Sequence, residues 1–202
     1  IRLRRLLNQR LARRLSSYER ATMPSDLITH SEAETEALGA ALGRLLQAGD
    51  ALALVGDLGA GKTCLARGVA AGLGVREPVT SPTFILVAEY ATARGFPLYH
   101  ADCYRLEQAA SEALSIGLDE LLLDDGVAIV EWAERIEPLL PPDHLRITLT
   151  ALDDSRRLTF EPQGARAAEL VRRIFNGQCS IVNCQSSGDS ASASDQSLPI
   201  DN

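Results

Sequence analysis

The run Gly56-Asp57-Leu58-Gly59-Ala60-Gly61-Lys62-Thr63 constrains this chain more than any other feature. It satisfies G-x-x-x-x-G-K-[ST] at every fixed position. Glycines let a backbone bend tightly and press its N–H groups against a cluster of phosphate oxygens. A helix that starts just after such a loop points its positive end at the same place. Lys62 is also the chain's only lysine; the other nineteen of its twenty basic residues are arginine. Lysine is a compact point charge and arginine a wide planar fork, so the two are not interchangeable. A chain that uses arginine everywhere else needs a small ammonium here.

The flanking sequence supplies what such a loop requires. Ala51 to Val55 is a short apolar run of the kind a buried parallel strand gives. After the loop, Leu65, Val69 and Leu73 recur at helical spacing, and Gly74 is placed to end that helix. The expected fold class is α/β: a single P-loop NTPase-like domain with a mixed, mostly parallel sheet flanked by helices. Residues 56–63 are expected to cradle a nucleotide's phosphates, with Lys62 at the β- and γ-oxygens and the Thr63 hydroxyl on Mg²⁺.

The remaining elements follow from pattern. Leu27 and Ile28 open with a strand, and Ser31 caps a helix with Glu34 at the capping-box position. Leu38, Leu42, Leu45 and Leu46 form its apolar stripe. Ile85 to Tyr90 and Pro97 to Ala101 read as two strands joined by a turn, which predicts a hairpin. Glu112 to Leu123 reads as helix broken at Gly117, Gly126 to Trp132 as a buried strand, and 145–151 and 157–161 as alternating strands. A last helix is expected over Ala165 to Phe175.

A phosphate loop needs a carboxylate at the end of a neighbouring strand to help hold the metal. Asp102 and Glu131 each follow an apolar run, so each is expected at a strand's C-terminal edge, where ligands bind in open α/β sheets. Thr83 follows Pro82 in a loop that can move, and its hydroxyl suits a metal ligand or a γ-phosphate sensor. His100 alternates with apolar residues and reads as a packing histidine. Trp132 reads on composition as packing; Arg105 and Arg135, near the strand ends, are open between pairing with carboxylates or phosphate and the default of solvated charge.

Charge is unevenly placed. The chain of 202 residues carries −7, yet residues 1–22 hold seven arginines and one glutamate, a net +6 that leaves −13 for the rest. An acidic remainder argues against broad nucleic-acid binding by the core. Met23 is the sole methionine and is expected to mark the start of the ordinary domain, residues 23–176. The Arg-rich stretch 1–22 stays open between an upstream extension, an amphipathic arm and a targeting peptide. The serine-crowded tail, residues 177–202, is expected to be disordered. Cys64, Cys103, Cys179 and Cys184 form no C-x-x-C pair and read as reduced thiols. No apolar run is long enough to span a bilayer.

Four motifs in order resemble one family. Gly56 to Thr63, then Ser81-Pro82-Thr83-Phe84, then Tyr99-His100-Ala101-Asp102-Cys103-Tyr104-Arg105-Leu106, then Val130-Glu131-Trp132 look like the TsaE (YjeE) family over roughly Leu27 to Phe160. The resemblance implies a small cytoplasmic ATPase that works with TsaB-like and TsaD-like proteins in making threonylcarbamoyladenosine in tRNA. It would meet tRNA indirectly, through that complex. The resemblance further implies that Thr63 and Glu131 hold Mg²⁺, that Asp102 assists hydrolysis or organises the metal and water, and that residues 81–84 act as a switch loop. It places Glu32, Trp132 and Arg156 at the nucleotide. Cys64 departs from the family pattern, where a second threonine is usual.

Two other readings share the phosphate loop. A small-molecule kinase needs an acceptor site and an arginine-rich lid, whereas the stretch from Arg105 to Leu123 has one arginine and is acidic. A nucleotide-gated binding module would release almost no phosphate. With a single lysine the chain has no guanine-reading N-K-x-D run.

Overall fold

The computed structural model describes residues 26–178. The segment 1–22 and nearly all of the tail 177–202 therefore lie outside the described residues. Seven strands form one sheet: β1 (Asp26–Thr29), β2 (Ala51–Val55), β3 (Val87–Ala91), β4 (Pro97–Asp102), β5 (Val127–Glu131), β6 (Leu145–Ala151) and β7 (Arg156–Pro162), in the order β1-β7-β6-β2-β5-β4-β3. The four central strands β6, β2, β5 and β4 run parallel. Antiparallel β3 borders one side, and antiparallel β7 followed by β1 the other. The helices are α1 (Glu32–Leu45), α2 (Lys62–Leu73), α3 (Ala109–Ser115), α4 (Leu118–Leu121) and α5 (Ala165–Arg173), with a 3₁₀ segment over Ala133–Leu139. Among the described residues no helix is long and apolar enough to cross a membrane.

Period-two alternation divides the core between two faces. Leu52 and Leu54 of β2 join Ile129, Ile147 and Phe160 against α1, α2 and α5. Ala51 and Ala53 face the other way and join Ala101, Ala128 and Val130 beneath Leu106, Leu118, Leu122 and Ile136. The sheet is thus covered on both sides, as a parallel sheet must be.

Local signals account for the element ends. Ser31 Oγ accepts from the Glu34 amide, and the Glu34 carboxylate accepts the His30 amide, one residue earlier than a standard capping box. Gly74 closes α2 in the left-handed region at φ 80°. Gly117, at φ 73°, separates α3 from α4. The expected strand from Ile85 starts two residues late, at Val87. The amides of Ile85 and Leu86 both bond the Pro82 carbonyl, and Leu86 takes φ 66°, so this stretch is a turn. The last helix stops at Arg173, and a wide turn over 174–178 carries the chain on.

Helices α1 and α2 meet through glycine. A Cβ on Gly39 would lie 2.5 Å from the Leu65 carbonyl oxygen, and one on Gly43 2.2 Å from that of Val69. Reciprocally, a Cβ on Gly68 or Gly72 would lie 2.2 Å from the Glu36 or Ala40 carbonyl oxygen. Both helices therefore present a small residue every fourth position and touch backbone to backbone. In an open helix Gly→Ala gains up to about 1 kcal/mol. Gly68→Ala is expected to do the reverse, lowering stability by about 1–3 kcal/mol through overpacking. Urea denaturation checks this; an unchanged or raised midpoint would show that the helices move apart without cost.

Candidate active site

The glycine loop fills the gap between β2 and α2. Gly56 sits at φ 141°, and a Cβ there would lie 2.3 Å from the Leu149 carbonyl oxygen of β6. Gly61, at φ 103°, is the N-cap of α2 and makes no side-chain capping bond. The first turn of α2 also lacks an acidic residue. The amides at this helix start are therefore open to an external anion.

Lys62 is 4% exposed. Its Nζ donates to the carbonyl oxygens of Gly56 (2.5 Å) and Asp57 (2.8 Å) and lies 3.9 Å from the centroid of the Trp132 ring. Burial holds its pKa below the ordinary 10.5, while Glu131, Glu134, Asp102 and Asp57 pull it back up.

The two predicted carboxylates are neighbours by register. Asp102 pairs with Glu131 across β4 and β5, and Leu54, at the loop end of β2, pairs with Glu131 from the other side. Both carboxylates are buried. Glu131 Oε2 accepts from Thr63 Oγ1 at 2.9 Å, and Oε1 lies 2.9 Å from His100 Nε2. Asp102 Oδ1 accepts from the Tyr104 amide at 2.9 Å. Its Oδ2 takes the Ser81 hydroxyl and, at 2.8 Å, the Thr83 hydroxyl. Asp102 thus ties the loop 81–84 to the strand end.

These groups line one cleft of about 400 Å³. Lys62, Thr63, Asp102 and Glu131 line it together with Thr83 and Trp132. Leu58, Gly59 and Gly61 of the loop, and Glu32 and Arg156, complete the predicted residues that reach it. Gly56 and Asp57 act through the carbonyls that hold Lys62, and Ala60 is buried in the core beneath the loop. On the rim, Glu32 lies 3.8 Å from both Arg67 and Arg156. Trp132 does pack, on Tyr104 at 5.0 Å, but its ring also meets Lys62. Cys64 is buried, and its Sγ donates to the Glu32 carbonyl oxygen at 3.4 Å; burial raises its pKa, so it is a thiol and not a reactive thiolate. Arg105 lies over the exposed Phe84 ring at 4.3 Å, and Arg135 donates to the Leu106 carbonyl. Neither arginine is simply solvated.

Sequence reasoning missed His100 and Arg67 as site residues. Strand alternation carried the first signal: His100 and Asp102, two apart on β4, share a face.

The donor set suits a hard divalent ion. Thr63 and Glu131 offer oxygens beside the open helix start, and among the described residues no three His, Cys, Asp or Glu side chains gather to hold a metal unaided. Mg²⁺ ordinarily takes one or two protein oxygens and fills the rest from phosphate and water.

Residues 29–159 match the family model described as threonylcarbamoyl adenosine biosynthesis protein TsaE. The chain belongs to the TsaE family. The matched span holds every cleft residue from Glu32 to Arg156. A TsaE relative from Bacillus subtilis is 44% identical over 142 residues, covering 70% of this chain and 87% of its own. One from Streptomyces coelicolor is 42% identical over 146 residues, covering 69% and 98%. Each bears the name tRNA threonylcarbamoyladenosine biosynthesis protein TsaE. The crystal structure of Bacillus subtilis YdiB superposes with a TM-score of 0.65 at 37% identity, covering 77% of this chain and 97% of that one.

The Asp102 contacts generate a test within this TsaE domain. Asp102→Ala removes the acceptor of both loop hydroxyls but leaves the Lys62 cradle intact. Amide exchange over 81–86 is expected to rise, while nucleotide affinity stays within about threefold. Unchanged exchange would mean that Asp102 does not tether the loop.

Proposed function

We propose that this chain is a Mg²⁺-dependent ATP hydrolase that supports threonylcarbamoyladenosine synthesis in tRNA. The observation that carries this reading is the Thr63 hydroxyl set against Glu131, at the mouth of the glycine loop that holds the only lysine. A strand-end carboxylate beside the loop hydroxyl is what a phosphoryl-transfer site needs to hold its metal.

In this reading the loop amides and Lys62 bind the β- and γ-phosphates of ATP, and their fixed positive charge stabilises the leaving diphosphate. Thr63 and Glu131 would hold Mg²⁺, which supplies charge neutralisation at the phosphate oxygens. Asp102 orients the attacking water. A carboxylate has about four lone-pair sites, and Asp102 already accepts from Tyr104, Ser81 and Thr83. It serves better to position a water than to take its proton, so intrinsic turnover is slow and rises with partners. Ser81 and Thr83 report the γ-phosphate by exchanging Asp102 for it. Glu32, Arg156 and Trp132 face the nucleotide's remainder.

The partners in this proposal are TsaB-like and TsaD-like proteins, with tRNA met only through them, in the cytoplasm. The catalytic domain spans 23–176, and 1–22 and 177–202 are extensions outside it. The names of the relatives place them in the same modification pathway.

Phosphate release with purified protein, with and without partners, tests the reading. Lys62→Ala is expected to lower nucleotide binding or hydrolysis by two or more orders of magnitude; turnover near wild type sinks the assignment. Glu131→Ala is expected to weaken Mg²⁺-dependent hydrolysis far more than metal-free nucleotide binding. Equal loss of both counts against a metal role.

A further inference from the structure

His100 is fully buried, yet it is a polar residue in the middle of an apolar strand. Pairing of β4 with β5 sets His100 opposite Ile129 and Asp102 opposite Glu131. Alternation puts His100, Asp102 and Glu131 on one face, the face that α2 covers. From there His100 Nε2 meets Glu131 Oε1 at 2.9 Å, while the other carboxylate oxygen meets Thr63. Each Glu131 oxygen thus has its own partner.

The ring has only one tautomer that fits. His100 Nδ1 is buried with no hydrogen-bond partner among the described residues. A proton on Nδ1 alone would bury an orphaned N–H and turn a bare Nε2 lone pair toward the carboxylate. A proton on Nε2 makes a donor that faces Oε1.

We propose that His100 is a positioning residue: its Nε2–H fixes the Glu131 carboxylate so that Oε2 stays turned to Thr63 and the metal position. This rests on the Mg²⁺ reading above. Carboxylate ligands are commonly held by such outer partners, whose loss costs about 10–100-fold in metal affinity. A histidine that merely fills space would give no such dependence on where its donor lies.

The test uses the full chain with His100→Gln and His100→Asn. Both introduce an amide, but the glutamine nitrogen reaches the place of Nε2 and the asparagine nitrogen stops near Nδ1. Calorimetry with a non-hydrolysable ATP analogue, in EDTA and across a Mg²⁺ series, reads metal coupling without turnover. The Asn variant is expected to need about tenfold more Mg²⁺ for the same gain in affinity, the Gln variant less than about threefold more, with metal-free binding unchanged in both. Equal shifts in the two variants, or none while Glu131→Gln abolishes the Mg²⁺ response, overturn the role of His100. A Mg²⁺ response that survives Glu131→Gln removes the metal reading itself, and the proposal with it. Nitrogen-15 spectra of the metal-free wild-type protein give an independent check that needs no variant. They should show a protonated Nε2 and a bare Nδ1; the opposite tautomer overturns the proposal.

Discussion

The pairing of β2, β5 and β4 is the constraint on which the site depends. It brings the loop end of β2, Glu131 and Asp102 to one edge of the sheet. A slip of one residue would turn Glu131 toward Ala53 and Ala101 on the opposite face. A carboxylate there would lose both its partners in an apolar layer, at a cost of several kcal/mol. Strand register and site geometry are therefore one requirement. The same reasoning explains why neither buried carboxylate stands alone: Glu131 has Thr63 and His100, and Asp102 has two hydroxyls and an amide.

The glycine contact between α1 and α2 serves the same end from the other side. Because the backbones touch, the start of α1 lies beside the start of α2. The Cys64 thiol then reaches the Glu32 carbonyl, and the Glu32 side chain joins Arg67 and Arg156 on the cleft rim. A wider helix separation would carry Glu32 away from the loop. Residues far from the loop, such as Gly68 and Gly72, thus help hold the start of α1 beside the start of α2.

Much of this was legible because the signals are local. The loop, β2 and α2 follow from one motif and its flanks, and Gly74 ends α2 where the sequence puts it. The hairpin of β3 and β4 follows from two apolar runs and a short turn. The positive φ of Leu86 was not legible, since no glycine or asparagine marks it. Nor was the partner of His100, 31 positions away on another strand. Alternation gives the face of a residue, but only strand order gives its neighbour. The same holds for Arg166, whose guanidinium bonds Asp50 across 116 positions and pins α5 to the turn before β2. The paired Gly-x-x-x-Gly spacings of α1 and α2 were visible in the chain. Their meaning depends on the two helices being neighbours, which no local pattern states.

The solitary lysine finds its reason in the same geometry. Its ammonium sits between two carbonyls of its own loop and the face of Trp132. A point charge with three rotatable donors fits such a space, whereas a guanidinium spreads its donors over a rigid plane. The indole reaches this place because Trp132 adopts φ 58°, which turns the chain sharply after Glu131. Bulky residues rarely take that conformation, and the cost is of order 1–3 kcal/mol. A glycine would remove the strain, but with it the ring that meets the ammonium. Burial already works against the charged form of Lys62, and the nearby carboxylates oppose that effect. The strained turn at Trp132 adds the quadrupole of an aromatic face to the same side of the balance.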